Sequence, residues 1–186
     1  MPLAGGDPAL PVLIRDSRDD DLPAVQAIYA RHVERGTASF ELEAPTLDDM
    51  RCRRDDVLAN GFPYLVAELD GRIAGYAYVN HFRARPAYRY LVENSIYLDD
   101  ALRGRGIGKK LMVVLIDRCT ALGLRQMLAV IGDSANTGSI GLHASCGFRF
   151  AGVMQASGWK HGRWLDTVLM QRDLGLGGRE PPQDDA

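Results

Sequence analysis

Apolar and polar positions along the chain follow two rhythms, and the changes between them mark out the elements. Val12–Arg15 reads as a short strand. Leu22, Val25, Ile28, Tyr29 and His32 then recur at intervals of three and four, which puts one apolar stripe on a helix over about residues 20–34. Asp19, Asp20 and Asp21 charge its start and Gly36 ends it. Thr37–Pro45 has no sustained period and reads as a surface loop. Thr46, with Asp49 three residues on, opens a second helix over about 46–59, closed by Asn60-Gly61.

From Pro63 the period becomes two. Tyr64–Leu69 and Arg72–His81 flank Asp70-Gly71, a strong hairpin signal. Residues 83–89 interrupt, and Tyr90–Leu98 resumes as a strand. A long helix over about 106–122 carries Leu111, Val114, Leu115, Arg118, Cys119 and Leu122 at helical spacing, with Gly123 as its stop. Arg125–Ile131 is a strand, Asn136–Ser145 a short helix stopped by Gly147, and Phe148–Val153 and Trp164–Gln171 are closing strands, with Gly158–Trp164 a hairpin bearing two exposed-type tryptophans. The expected organisation is a flexible leader (1–11), a single domain (12–174) and a disordered tail (175–186), the domain being α/β with a mixed central sheet.

Composition narrows the field of functions. The chain has 186 residues with 22 Lys+Arg against 24 Asp+Glu, so it is nearly neutral overall and not built as a general nucleic-acid or membrane-surface binder. Cys52, Cys119 and Cys146 show no Cys-x-x-Cys pair, and His32 and His81 have no ligand spacing with the other two histidines; no metal is expected. With no apolar run of signal or membrane-span length, a cytoplasmic protein is expected.

Against that neutral background, one basic cluster stands out. Gly104, Gly106 and Gly108, flanked by Arg103, Arg105 and Lys109, join the strand ending at Leu98 to the long helix. Glycines admit a ligand close to the backbone, and the free N–H groups of a first helical turn attract anions. A phosphate-bearing cofactor is the economical reading. The spacing is not that of a Walker A loop, because Arg103 stands at the first glycine position and Lys110 at the hydroxyl position. Nor is it a dinucleotide fingerprint, because Leu111 replaces the third glycine.

What remains, Arg103-x-x-Gly106-x-Gly108, resembles the pyrophosphate loop of the GNAT superfamily of acetyl-coenzyme A-dependent N-acetyltransferases. The element order agrees, so the resemblance covers about residues 12–172. It is sharpest for the branch that acetylates phosphinothricin, methionine sulfone or methionine sulfoximine. The pieces carrying it are Ala38–Pro45, Arg83–Tyr88, Val92–Tyr97, Arg103–Gly108, Val130–Asn136, Leu142-His143, Cys146–Phe148 and Gly158–Trp164.

The resemblance implies a GNAT fold with helices on both faces of the sheet, and acetyl-CoA as cosubstrate. It implies that acetyl-CoA lies along Tyr97, Leu98, Arg103, Gly104, Arg105, Gly106, Ile107, Gly108 and Lys109, with Asn136 near its pantetheine arm and a backbone N–H near Leu98 facing the developing oxyanion. Glu93, on a strand whose burial would raise its pKa, is the expected base for the amine, and His143 a proton donor or acceptor. Phe40, Glu43, Arg83, Arg85 and Tyr88 are expected around a small amino-acid substrate, the arginines clamping its carboxylate or phosphinate. Family members are commonly dimers, so a homodimer is expected, with Trp159 or His161 reaching a neighbour's pocket.

Read one at a time, these residues keep other roles open. Glu93 also suits a strand-end salt bridge, His143 a core histidine bonded to a carbonyl, and Asn136 a helix cap. At the level of the whole chain, a protein or peptide N-acetyltransferase and a non-catalytic coenzyme A-binding module remain as alternatives.

Overall fold

The computed structural model describes residues 12–182, and the leader expected at 1–11 lies outside them. Seven strands form one sheet: β1 (Leu13–Asp16), β2 (Tyr64–Leu69), β3 (Arg72–His81), β4 (Leu91–Leu98), β5 (Gln126–Gly132), β6 (Arg149–Lys160) and β7 (Arg163–Asp173). Their spatial order is β1-β2-β3-β4-β5-β7-β6. β4 and β5 run parallel and the other neighbours antiparallel, so the sheet is mixed as expected.

Local chemistry explains most boundaries. The helix α1 (Leu22–Arg35) buries Leu22, Val25, Ile28, Tyr29 and His32, the stripe read from spacing, together with Val33. α2 (Leu47–Ala59) starts at a reciprocal cap: the Asp49 N–H donates to Thr46 Oγ1 at 3.1 Å, and the Thr46 N–H to the Asp49 carboxylate at 2.9 Å. Asp70 and Gly71 both lie at positive φ, 53° and 68°, the geometry of a tight two-residue hairpin turn. The parallel β4–β5 pair cannot be closed by such a turn, and α3 (Ile107–Ala121) supplies the crossover.

The helices divide between the two faces. Cross-strand partners share a face, so the pairs Tyr76↔Tyr97, Tyr78↔Ser95 and Asn80↔Glu93 put Glu93, Ser95 and Tyr97 on the side covered by α1, where Tyr29 packs edge-on against Tyr97. Val92, Asn94 and Ile96 point to the other side, covered by α3 and α4 (Thr137–Ser145).

The structure corrects the sequence reading in three places. α3 buries a wider face than expected, with Ile107, Met112 and Ile116 joining Leu111, Leu115 and Cys119, because it packs on both the sheet and α4. Arg118 faces outward toward Asp16, and Leu122 is exposed. The closing strands are longer than expected because β6 runs on past Val153 through a register shift between Met154 and Gly158, with Ala156 at positive φ. Of the expected tail, residues 175–182 form turns rather than a loose end: the Gly177 N–H donates to the Leu174 carbonyl at 2.9 Å, and Arg125 donates to the Pro181 carbonyl at 2.9 Å.

Candidate active site

β4 and β5 pair only from Leu91↔Gln126 to Asn94↔Ala129. Beyond Asn94, β4 stays with β3 and β5 with β7, so the sheet splits into a cleft. The antiparallel ladder fixes which peptide groups face it. The Asp99 N–H donates to the Ala74 carbonyl, and the Phe82 N–H to the Leu91 carbonyl, so the odd-numbered residues of β4 bond to β3. The N–H and C=O of Ile96 and Leu98 therefore point across the gap. His32 Nε2 donates to the Leu98 carbonyl at 2.9 Å, which leaves the Leu98 N–H as a donor on the open side.

Two adjoining cavities occupy this cleft, of about 400 and about 420 Å³, sharing Ala38, Ile96, Tyr97, Asn136 and Ser139. The first is built on the glycine loop. Asp99 accepts from the Ala101 N–H at 3.0 Å and turns the chain, and Arg103 pairs with Asp100 at 2.6 Å. Gly104 and Gly106 sit in left-handed conformation at φ 76° and 75°, where a side chain would be strained. α3 then begins with no side chain capping it, so its first N–H groups keep no partner within the helix. Arg103, Gly104, Gly106, Ile107, Gly108 and Lys109 line this cavity beside Tyr97 and Leu98, whereas Arg105 does not.

A diphosphate fits this cradle: main-chain donors at an uncapped helix start, glycines that keep side chains away, and Lys109 adjacent. The opposite wall suits a long flexible arm, since Gly138, Gly141 and Ser145 of α4 keep it narrow-sided and leave room. Asn136 caps α4, its Oδ1 accepting from the Ser139 N–H at 3.2 Å, and lines both cavities, so its capping and ligand-facing roles coexist.

The second cavity holds the candidate acid–base groups. Glu93 lines it, and burial pushes its carboxyl above the ordinary range. His143 enters from the opposite face of the sheet and is only 3 % exposed. Its Nδ1 lies 2.8 Å from the Ser139 carbonyl and its Nε2 3.0 Å from Asn94 Oδ1. The Asn94 orientation is fixed, because its Nδ2 donates to the Leu128 carbonyl at 2.9 Å. Both ring nitrogens are thus engaged within the protein, a neutral ring donating through one of them and offering its lone pair at the other, with the Ser139 hydroxyl 3.4 Å from Nδ1 able to donate. Burial pushes the imidazole pKa down, and the bond to Ser139 opposes it.

Of the residues the resemblance placed around the acceptor, Phe40 forms one wall, whereas Glu43, Arg83, Arg85 and Tyr88 line neither cavity. They are exposed. The β3–β4 connection packs on itself at the solvent side, with Tyr88 edge-on to Phe82 at 5.5 Å and the Arg83 guanidinium over the same ring at 5.1 Å. Within one chain the acid next to Phe40 is Glu41, which lines the cavity while paired with Arg53 at 2.7 Å and accepting from Tyr29 Oη at 2.8 Å. Within one chain, His161 Nε2 lies 3.2 Å from the Gly36 carbonyl, and Trp159 packs on Trp164.

Sequence reasoning passed over His32, Asn94, Glu41 and Lys160. The buried Lys160 ammonium donates to the Ser39 carbonyl at 2.7 Å. Only its position in an apolar strand end marked it. Among the described residues no group of three potential metal ligands comes together, and no helix is long and apolar enough to cross a membrane.

Comparison with known proteins agrees with this geometry. Residues 25–148 match the model of the acetyltransferase (GNAT) family. The chain is 53 % identical over 170 residues to the phosphinothricin N-acetyltransferase of Alcaligenes faecalis, covering 91 % of this chain and 86 % of that protein. It is 40 % identical to the L-methionine sulfoximine/L-methionine sulfone acetyltransferase of Pseudomonas aeruginosa, over 87 % of this chain and 94 % of the relative. Among solved structures, a GNAT superfamily phosphinothricin acetyltransferase from Sinorhizobium meliloti, in complex with AcCoA, superposes with a TM-score of 0.90 at 48 % identity, covering 93 % of this chain and 94 % of the other.

Proposed function

The chain belongs to the acetyltransferase (GNAT) family, and we propose that it transfers the acetyl group of acetyl-CoA to the α-amino group of a small amino acid such as phosphinothricin, methionine sulfone or methionine sulfoximine. The observation carrying this reading is the junction of the two cavities: a diphosphate cradle on one side of Tyr97 and a half-buried carboxylate, Glu93, on the other. Acetyl-CoA supplies the activated thioester carbonyl. The chain's own groups then have three tasks.

The α-amino group of the acceptor arrives largely protonated at neutral pH and must lose a proton before it attacks. Glu93, raised by burial toward the working range, accepts it, directly or through water. The Leu98 N–H, left without a ladder partner where β5 departs and steadied by the His32 bond to the carbonyl of the same residue, faces the oxygen that gains charge as the carbonyl is attacked. His143, engaged at both ring nitrogens, acts as organiser rather than base. Coenzyme A thiolate, with a thiol pKa of roughly 8.5 by analogy with cysteine, leaves without strong acid help.

The test is thiol release from acetyl-CoA against a panel of amino acids, oxidised methionine analogues and basic peptides. Turnover confined to peptides would transfer the chain to the protein N-acetyltransferase reading, and cofactor binding with no turnover to the silent module.

We also propose that the chain works as a homodimer joined along β6. This edge strand carries Phe150 (63 % exposed), Val153 and Met154, with Trp159 and Trp164 beside them at its end, too much apolar surface on one sheet edge to leave in water. Light scattering after gel filtration should give twice the chain mass for the native protein and the chain mass for Phe150→Asp. A native monomer would remove the proposal.

A further inference from the structure

Phe40 forms the wall of the acceptor cavity, and the position of its ring is set from behind. The ring lies across β7 between two glycines, Gly132 on β5 and Gly158 on β6. A Cβ built on Gly158 would stand 2.5 Å from Phe40 Cδ2 and Cε2, and one on Gly132 would stand 2.9 Å from Phe40 Cε1 and also collide with the Thr37 carbonyl. No side chain other than hydrogen fits at either place while the ring stays where it is.

The backbone bearing Phe40 cannot simply withdraw. The Gly36 carbonyl faces His161 Nε2 at 3.2 Å, Thr37 Oγ1 donates to Asp133 at 2.9 Å, and Asp133 is held in turn by Arg163. The Ser39 carbonyl accepts from the buried Lys160 ammonium at 2.7 Å, and Ser39 Oγ and Glu41 share the Tyr29 hydroxyl at 2.9 and 2.8 Å. Residues 36, 37, 39 and 41 are thus each tied to the body of the domain. A ring pushed from Gly158 therefore has one direction to move, into the space it borders.

We propose that Gly158 is a specificity-determining residue, setting the depth of the acceptor pocket through Phe40 and admitting an amino acid with a side chain of methionine sulfone length. The inference rests on the reading of this cavity as the acceptor site. Gly158 touches neither candidate proton-handling residue nor the glycine loop, and its φ is not in the left-handed region, so an alanine there changes only the room available to the ring.

The experiment measures kcat/KM for alanine, methionine sulfone and phosphinothricin in the native chain, Gly158→Ala, Phe40→Leu and the double variant, with the KM for acetyl-CoA alongside. For Gly158→Ala we expect the ratio of methionine sulfone to alanine to fall roughly tenfold or more, the scale by which misplaced methylenes discriminate in closed pockets, with the acetyl-CoA KM within about twofold of native. The smaller leucine should restore the ratio in the double variant. Should Gly158→Ala fail to fold by circular dichroism, Phe40→Trp presses on the same space from the ring side and should lower the same ratio. A native chain that acetylates the panel while the ratio is unmoved in these variants overturns the inference alone. A loss equal for all acceptors, a raised acetyl-CoA KM, or no recovery in the double variant does the same. A native chain inert toward the whole panel overturns the reading of the site and takes the inference with it.

Discussion

Replacing Glu93 by glutamine tests the assigned base through two readouts that should move in opposite directions. The exchange keeps shape and removes only the ability to take a proton, while the Leu98 N–H and the glycine cradle stay in place. His143 is poorly placed to step in, because both its nitrogens are engaged by Ser139 and Asn94. The loss should therefore be a full general-base contribution, about 10²–10⁴ in kcat/KM at pH 7, or roughly 3–5 kcal/mol of barrier. The α-ammonium of a free amino acid is almost wholly protonated at pH 7 and, being more basic than a peptide terminus, sheds much of that protonation by pH 9, so raising the pH should return at least about tenfold to the variant and little to the native enzyme.

Stability should respond with the other sign. Burial raises the Glu93 carboxyl in the folded state above its unfolded value. Its stabilising contribution is therefore complete below the unfolded pKa and is lost as the pH climbs through the folded one. Once ionised, the half-buried Glu93 carries a desolvation cost that Glu93→Gln lacks, so the variant should gain in melting temperature over native as the pH climbs through the folded-state titration, and lose that advantage below the unfolded one. A thiol-release assay from pH 6 to 9.5, with melting curves over a wider range, measures both. An unchanged kcat/KM at pH 7, or a loss that does not shrink with pH, refutes the role, and a variant less stable at every pH refutes the electrostatic picture behind it.

Substitutions at three further positions probe the elements that shape the cleft. Gly106→Ala must hold a Cβ at φ 75° with no atom crowding it, so its cost is backbone strain alone, about 1–2 kcal/mol. The acetyl-CoA KM should rise about tenfold with kcat nearly native, and an unchanged KM would dissociate the loop from the cofactor. His32→Leu leaves the Leu98 carbonyl without its donor, which should cost about 1–3 kcal/mol in denaturant unfolding and lower kcat more than either KM. Native kcat would disconnect the His32 bond from the reaction. Asn94→Leu strips partners from both His143 Nε2 and the Leu128 carbonyl, whereas Asn94→Asp keeps an acceptor for the ring and should raise the His143 pKa, as read from its imidazole NMR shifts. A pKa that stays put in the aspartate variant would mean the pair is not coupled.

What could be read from the sequence and what could not divides by the distance over which the information is held. Thr46 with Asp49, Asp70-Gly71, Gly123 and Gly147 act within three or four residues, and each boundary they announced is present within a residue or two. The glycine loop was legible for the same reason, since its chemistry lies in consecutive positions. β6 was cut short because Ala156, Ser157 and Gly158 look like a turn when read alone, and only pairing with β7 draws them into a strand. Lone polar residues were the hardest: His32 finds its carbonyl 66 positions away and Lys160 its own 121 away. No local pattern encodes such pairs. Arg83 and Tyr88 show the opposite case, since a sequence cluster that looks convergent packs in this chain against Phe82, outside both cavities.

The parity of β4 ties the chemistry to the fold. Its odd residues bond to β3 and its even ones turn their peptide groups toward β5, so once β5 departs after Ala129 the exposed donors can only be those of Ile96 and Leu98. The same alternation sends the Glu93 side chain to the face of α1 and the Asn94 side chain to the face of α4, where His143 waits. A split sheet is costly, because peptide groups lose their ladder partners and are expensive to leave buried. This one is pinned on both sides of the break, by His32 on the Leu98 carbonyl and by Asn94 on the Leu128 carbonyl. A one-residue slip of β4 would exchange the faces of Glu93 and Asn94 and turn the Leu98 N–H back toward β3. The proposed base, the proposed oxyanion donor and the histidine would be lost together, so strand register, rather than any single side chain, decides whether the two cavities can form one working site.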